Sequence, residues 1–83
     1  MSETLELTFG QKRVRASFNP SKDSLVDQIK AKTAELIDLC SDASRKANQD
    51  THRTGEEGRL WALAMSEYEN AAMWAVKAAT SGK

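Results

Sequence analysis

Histidine and cysteine, which often bind metals or act as nucleophiles, each occur once in this 83-residue chain. His52 is the only histidine and Cys40 the only cysteine. A metal site needs three or four ligands, and a nucleophilic thiol needs a basic neighbour and exposure, so we interpret His52 as a solvated loop residue and Cys40 as a small core residue. Glu35 and Asp38 have the spacing of magnesium-binding helical phosphohydrolases, but no second pair matches them. We expect no catalytic residue, no metal and no cofactor.

The placement of basic residues along the chain is more informative than the net charge. The formal net charge is zero, from 12 Lys+Arg and 12 Asp+Glu, yet residues 11–32 carry six basic and two acidic residues. A small anionic ligand would find both charge and helix N–H donors there. Phe18 lies in this stretch and is either a core residue or a ring on which a base stacks. Alternatively, the basic residues form an ordinary solvated surface that binds no ligand.

Composition excludes several classes of protein. With 40% hydrophobic residues the chain is not disordered, and with no basic excess it is not a general DNA or RNA binder. No apolar run approaches the roughly 20 residues of a membrane span. The first residues lack the basic and apolar regions of a secretory signal. A single cysteine fits a reducing compartment.

The N-terminal segment alternates apolar and polar side chains. Residues 4–9 and 12–18 each place apolar side chains at every second position, which is typical of half-buried strands. Gly10-Gln11 between them suits a type II′ turn. The sequence therefore predicts a β-hairpin over residues 1–18, docked on the remainder because such a hairpin is unstable alone.

Helical periodicity follows Asn19-Pro20-Ser21, in which Asn19 or Ser21 can cap a helix. Apolar residues then recur at spacings of three and four, which predicts an amphipathic helix over about 21–48 within the segment 19–48. The predicted buried seam is Val26, Ile29, Thr33, Leu36, Cys40, Ala43 and Ala47, widened by Leu25, Ile37 and Leu39. The predicted solvated face is Asp27, Lys30, Glu35, Asp38, Asp42, Arg45 and Lys46.

Residues 49–55 read as a loop and residues 56–80 as a second helix that is apolar around most of its circumference. Such a helix must be covered on most sides, and one partner helix covers only one. We therefore expect a mainly α single domain, an αα-hairpin preceded by the β-hairpin, assembled as a homo-oligomer. Its polar line either faces water or lines the axis of a ring, where repeated copies of Arg59 would form an anion site; it comprises Arg59, Ser66, Asn70 and Lys77.

Four stretches resemble the helical-hairpin domain of bacteriophage immune-evasion sponges, the type-two anti-CBASS proteins and their anti-Thoeris relatives. They are residues 13–21, 27–36, 59–64 and 71–78, and the resemblance covers about 13–80. It implies a non-enzymatic protein, a hexamer of helical hairpins in the cytoplasm of the infected bacterial host. Its partners would be cyclic oligonucleotides such as cGAMP, withheld from CBASS effectors, with no DNA and no membrane involved.

The resemblance also implies site residues. Family members hold cyclic dinucleotides between protomers near the start of the first long helix, where a lysine approaches phosphate and an aromatic ring stacks on a base. Some members bind cyclic trinucleotides through an arginine at the start of the last helix. The matching residues are Lys30, with Lys32 and Thr33 just beyond it; Arg15 without gaps, or Phe18 with a shift, at the aromatic position; and Arg59 at the trinucleotide position.

Other functions stay open. Members of the anti-Thoeris branch carry N-terminal strands and bind cyclic ADP-ribose isomers, so the predicted β-hairpin leaves the class of nucleotide undecided. A structural or protein-binding helical oligomer is the second alternative. A magnesium-dependent phosphohydrolase, which would consume its ligand, is the third.

Overall fold

The computed structural model describes residues 6–19, 22–48 and 55–82, and those residues form three helices and no strand. The two long helices pack along each other as a helical hairpin, and the short first helix lies against the second. The prediction of a mainly helical hairpin is confirmed. No helix within these residues is long and apolar enough to cross a bilayer. The helices are α1 (Phe9–Arg13), α2 (Ser24–Asn48) and α3 (Gly55–Thr80).

The start of α2 lies later than the sequence predicts. The Asp23 carboxylate accepts a hydrogen bond from the Leu25 amide at 2.9 Å, which is the contact of an N-cap residue. Asn19 instead donates its carboxamide to the Asp23 carbonyl at 2.8 Å and closes the preceding turn. Asn19 is therefore not the cap, and Ser21, the other candidate, lies outside the described residues.

The N-terminal segment 6–19, here called the leader, is helical where the sequence predicts a β-hairpin. The Thr8 hydroxyl accepts from the Gln11 amide at 3.0 Å, and the Gln11 carboxamide accepts from the Thr8 amide at 2.9 Å. This capping box satisfies two amides at the start of α1. Its local hydrogen bonds outweigh a short alternating pattern. The predicted β-hairpin is wrong over the described residues, and residues 1–5 lie outside them.

The C-terminus of α1 folds the leader back. The Ala16 amide donates to the Gln11 carbonyl at 2.9 Å and the Arg15 amide to the Lys12 carbonyl at 3.2 Å. These are the two bonds of a Schellman motif, with Arg15 at the left-handed position (φ 56°) that glycine usually occupies. A non-glycine residue there costs about 1–2 kcal/mol. The arginine side chain is therefore placed on this turn against a conformational cost.

The core lies where the leader meets both long helices. Ile37 is fully buried and contacts a cluster that includes Val14 of the leader. Leu36, which the sequence places on the seam, is 42% exposed, because the leader turns the buried face toward Ala34 and Ile37. Lys30 was predicted to be solvated and is only 7% exposed. The remaining members of the cluster are Ala34 and Ala72, with Ala16, Ile29, Met65 and Tyr68 packed around it.

One broad side of the hairpin exposes apolar side chains. The molecule is thin, with Cα positions that span 50 × 38 × 12 Å. Trp74 is 69% exposed. On each long helix the exposed apolar residues lie roughly 140–150° around the axis from those that face the leader. This surface, the outer apolar face, comprises Leu25, Leu36 and Leu39 of α2 and Leu60, Leu63 and Trp74 of α3.

Gly10 sets the distance between α1 and α2. Its amide donates to Asp38 Oδ1 at 2.7 Å, and a Cβ there would lie 2.2 Å from the Ala34 carbonyl oxygen. We expect Gly10→Ala to push the leader off α2 and lower the free energy of unfolding by about 1–3 kcal/mol, measured by urea denaturation. Gly55→Ala is the control, because no atom of the described residues, apart from its chain neighbours and its own helix backbone, lies within 4 Å of its Cβ position. Equal stability of both variants would contradict this packing.

Candidate ligand-binding site

A cavity of about 280 Å³ opens between the leader, α2 and α3. Three of the residues predicted from the sequence line it together: Arg15, Phe18 and Lys30. They lie up to 15 positions apart in the chain and meet because the Schellman turn folds the leader back over the start of α2. The other lining residues are Arg13, Val14, Glu69, Ala72, Met73 and Val76.

The base of the cavity is apolar and its leader side is tied to α3. Val14 and Ala72 are both buried there. Arg13 Nε donates to Glu69 Oε1 at 2.6 Å, a half-buried ion pair across 56 positions of sequence. A pair of this kind is worth up to about 1 kcal/mol. The pair fixes the leader's position over α3 and thereby forms one wall of the cavity.

Arg15 and Phe18 form a flat stack at the mouth. The Arg15 Cζ lies 4.3 Å from the centroid of the Phe18 ring, within the range of a cation–π contact. Phe18 is 49% exposed, so it is not a core residue. Both groups are planar, and both aromatic rings and guanidinium planes stack on nucleobases. The two candidates for the aromatic position therefore lie next to each other rather than excluding each other.

Lys30 contacts the leader from α2. Its Nζ donates to the Arg15 carbonyl at 2.9 Å and to the Phe18 carbonyl, and lies 5.4 Å from the centroid of the Phe18 ring. Burial, and then the positive charge of Arg15, lower the pKa of Lys30, whereas Asp27 raises it. The ammonium is therefore part of the turn's own hydrogen bonding.

The sign of the charge favours an anion in this cavity. Its lining carries three cations, Arg13, Arg15 and Lys30, and one carboxylate, Glu69. A second cavity, of about 390 Å³ between the leader and α2, has the opposite balance, with two aspartates and one arginine that pairs with one of them. Phosphate would be repelled from the second cavity and attracted to the first.

Three other predicted residues do not line the cavity within one protomer. Lys32 is exposed, and the Thr33 hydroxyl donates to the Ile29 carbonyl at 2.7 Å within α2. Arg59 is exposed and pairs with Glu56 at 2.6 Å in the first turn of α3. Ten residues separate Arg59 from Glu69, a rise of about 15 Å along the helix. The ligand roles of these residues stay predictions.

The other residues considered for catalysis or metal binding have structural roles where the structure describes them. Cys40 is buried. Asp38 accepts from the Gly10 amide, and no three His, Cys, Asp or Glu side chains converge anywhere in 6–19, 22–48 or 55–82. His52 lies outside the described residues.

Sequence reasoning missed part of the cavity lining. Arg13 belongs to the basic stretch but was assigned to a strand, and no ligand role was predicted for Glu69. The available signal was charge complementarity between the basic leader and the one acidic residue of α3 that faces it. Met73 and Val76 gave no signal beyond their apolar character.

Residues 11–80 match the family model described as the Acb2/Tad1 hairpin domain. The chain belongs to this family. It is the anti-CBASS and anti-Thoeris family that the sequence resembles over residues 13–80, so that recognition is confirmed. No curated protein and no solved structure matches the chain significantly.

The match to the Acb2/Tad1 hairpin domain spans the candidate site. It begins at Gln11, inside α1, and ends at the last residue of α3. Every residue that lines the cavity, from Arg13 to Val76, lies within it. The leader turn therefore belongs to the matched domain together with the two long helices.

Proposed function

We propose that this chain is a phage immune-evasion protein that binds cyclic oligonucleotide messengers and sequesters them without turnover. Family membership is consistent with an anti-defence sponge. The observation that carries the proposal is the stack of Arg15 on a half-exposed Phe18, beside Lys30, at the mouth of a cationic cavity. Flat groups recognise bases and cations recognise phosphates, which are the two components of these messengers.

The energies required are within reach of such a site. Stacking contributes about 1–3 kcal/mol per base, and charge-assisted hydrogen bonds to phosphate are about twice as strong as neutral ones. Nanomolar affinity corresponds to about 12 kcal/mol. A sponge needs affinity and slow release, and it needs no nucleophile or metal.

Self-association is the second part of the proposal. A compact monomer of this length would expose about 4,900 Å² and have a radius of gyration near 12 Å. This protomer exposes 6223 Å² and has a radius of gyration of 15.1 Å. The excess includes the outer apolar face. We propose that copies of the chain cover that face for one another in a hexamer.

Self-association of the chain would also enlarge the binding site, since the cavity of one protomer is small for a cyclic dinucleotide. A cavity of about 280 Å³ is slightly smaller than typical small-molecule sites, which are about 300–1,000 Å³. It would enclose only part of a ligand built from two nucleotides. The rest would contact a neighbouring protomer, and Lys32, on the outer side of α2, is available for such a contact only across an interface.

Cyclic dinucleotides are the favoured ligands over cyclic ADP-ribose isomers. The argument for the anti-Thoeris branch was the predicted N-terminal strand pair, which is absent from residues 6–18. Isothermal titration with cyclic dinucleotides, cyclic trinucleotides and cyclic ADP-ribose isomers, with a linear dinucleotide as control, tests the assignment. Submicromolar binding of a cyclic dinucleotide supports it. Binding of cyclic ADP-ribose isomers alone would reassign the ligand, and uptake of no nucleotide would favour a purely structural oligomer.

Arg59 is proposed to serve a separate trinucleotide site, at the start of α3 and away from the cavity. Arg59→Ala should abolish cyclic-trinucleotide binding and leave cyclic-dinucleotide affinity unchanged, because its only described ion-pair partner is the exposed Glu56. Titration of both ligands into the variant measures this. Equal loss of both affinities would show that the two ligands share a site.

A further inference from the structure

The Lys30 ammonium donates hydrogen bonds to the protein's own backbone. The ammonium has three donors, and two of them go to the carbonyls of Arg15 and Phe18. Only 7% of the residue is exposed. A lysine whose task was to meet a ligand phosphate directly would present more of its head group to the cavity.

The two carbonyls belong to one turn. The Phe18 amide donates to the Arg15 carbonyl at 2.9 Å, which closes a four-residue turn, and the ammonium bridges its first and last residues. Arg15 begins this turn in the left-handed conformation, φ 56°. Such a conformation in a non-glycine residue persists only when its surroundings hold it. Lys30 contacts both ends of this turn from α2.

We propose that Lys30 is a positioning residue, whose ammonium clamps the Arg15–Phe18 turn so that the guanidinium stays stacked over the ring and both groups are held in place for the ligand. This inference rests on the proposed function, since the ligand is the one assigned above. It makes Arg15, rather than Lys30, the cation that meets the phosphate or the base. It also explains why a buried cation is kept in a domain with so small a core.

The test compares Lys30→Met with Lys32→Met. Methionine keeps the apolar stem of Lys30 and removes its donors and charge, so the variant remains able to fold. Lys32→Met removes the same charge from an exposed position two residues away. In the ligand-free proteins, amide hydrogen exchange at Ala16 and Phe18 should accelerate at least tenfold in Lys30→Met and remain unchanged in Lys32→Met.

Cyclic-dinucleotide titration at several salt concentrations supplies the second readout. Lys30→Met should lose at least tenfold in affinity yet keep the wild-type salt dependence, because the phosphate contact is not its own. Arg15→Gly, which preserves the turn, should lose both affinity and salt dependence.

Three outcomes would overturn the positioning role. They are unchanged leader exchange in Lys30→Met, faster exchange with wild-type affinity, and loss of salt dependence in Lys30→Met equal to that in Arg15→Gly. If the wild-type chain binds no cyclic nucleotide, the proposed function fails and the ligand role of Lys30 fails with it. The exchange measurement still reports whether Lys30 clamps the leader, so the two failures are distinguishable.

Discussion

Phe18→Ala should bind cyclic dinucleotides roughly 5- to 150-fold more weakly than the wild-type chain while remaining folded. The range is the loss of one stacked base, about 1–3 kcal/mol. The ring is half exposed and lies outside the buried cluster, so its removal leaves little cavity in the core. Isothermal titration measures the affinity, and thermal unfolding followed by circular dichroism verifies the fold.

Phe9→Ala is the matched control for this variant. Phe9 is an equally exposed phenylalanine of the leader, and it lines the acidic second cavity rather than the cationic one. It should retain wild-type affinity. Loss of binding in Phe9→Ala but not in Phe18→Ala would move the ligand to the other side of the leader and contradict the site.

Trp74→Glu should break the oligomer. Trp74 is the most exposed of the large apolar residues on α3 and lies on the outer apolar face with Leu60 and Leu63. A tryptophan buried at the centre of an interface is worth about 2 kcal/mol or more, which is about 30-fold per contact, and a buried unpaired carboxylate adds to that loss. Sedimentation velocity across micromolar concentrations should show the proposed hexamer in the wild type and smaller species in the variant.

Ala62→Glu controls for the added charge. Ala62 is exposed on α3 about 120° around the helix from Trp74, off the outer apolar face. Its assembly should match that of the wild type. A Trp74→Glu protein that sediments like the wild type would contradict self-association through this face. Because the cavity encloses only part of a dinucleotide, dissociated protomers should also bind the ligand more weakly.

The two long helices were predictable because apolar residues recur along each of them with helical spacing. Apolar spacing of three and four residues places α2 and α3 within three residues of their observed ends. The spacing did not determine which residues of α2 are most buried. Leu36 belongs to the seam of a two-helix contact, but the leader occupies part of the α2 surface and moves the core to Ala34 and Ile37.

The leader shows how a short pattern misleads. Three apolar residues at every second position predict a strand over residues 4–9, yet Thr8 of that stretch and Gln11 just beyond it have capping-box spacing. Gly10 was interpreted as a turn residue, whereas its lack of a side chain permits the close approach to Ala34. That approach is a tertiary contact, which the local sequence around Gly10 does not predict.

The positive charge of the candidate site was predictable from the sequence, whereas its geometry was predictable only in part. The concentration of basic residues near Phe18 indicated an anion site. The burial of Lys30 could not be anticipated, because it depends on two leader carbonyls that reach α2 only after the Schellman turn forms. The same turn removes the need to choose between Arg15 and Phe18, which the sequence presented as alternatives.

Recovery of bound ligand is the most direct test of sequestration. The wild-type chain is incubated with cyclic GMP-AMP, freed of unbound nucleotide, heated to denature the protein and analysed by mass spectrometry. Intact cyclic GMP-AMP in the released fraction, at a stoichiometry set by the number of cavities, is the predicted result. Release of a linear or hydrolysed product, or of no nucleotide, would contradict the account.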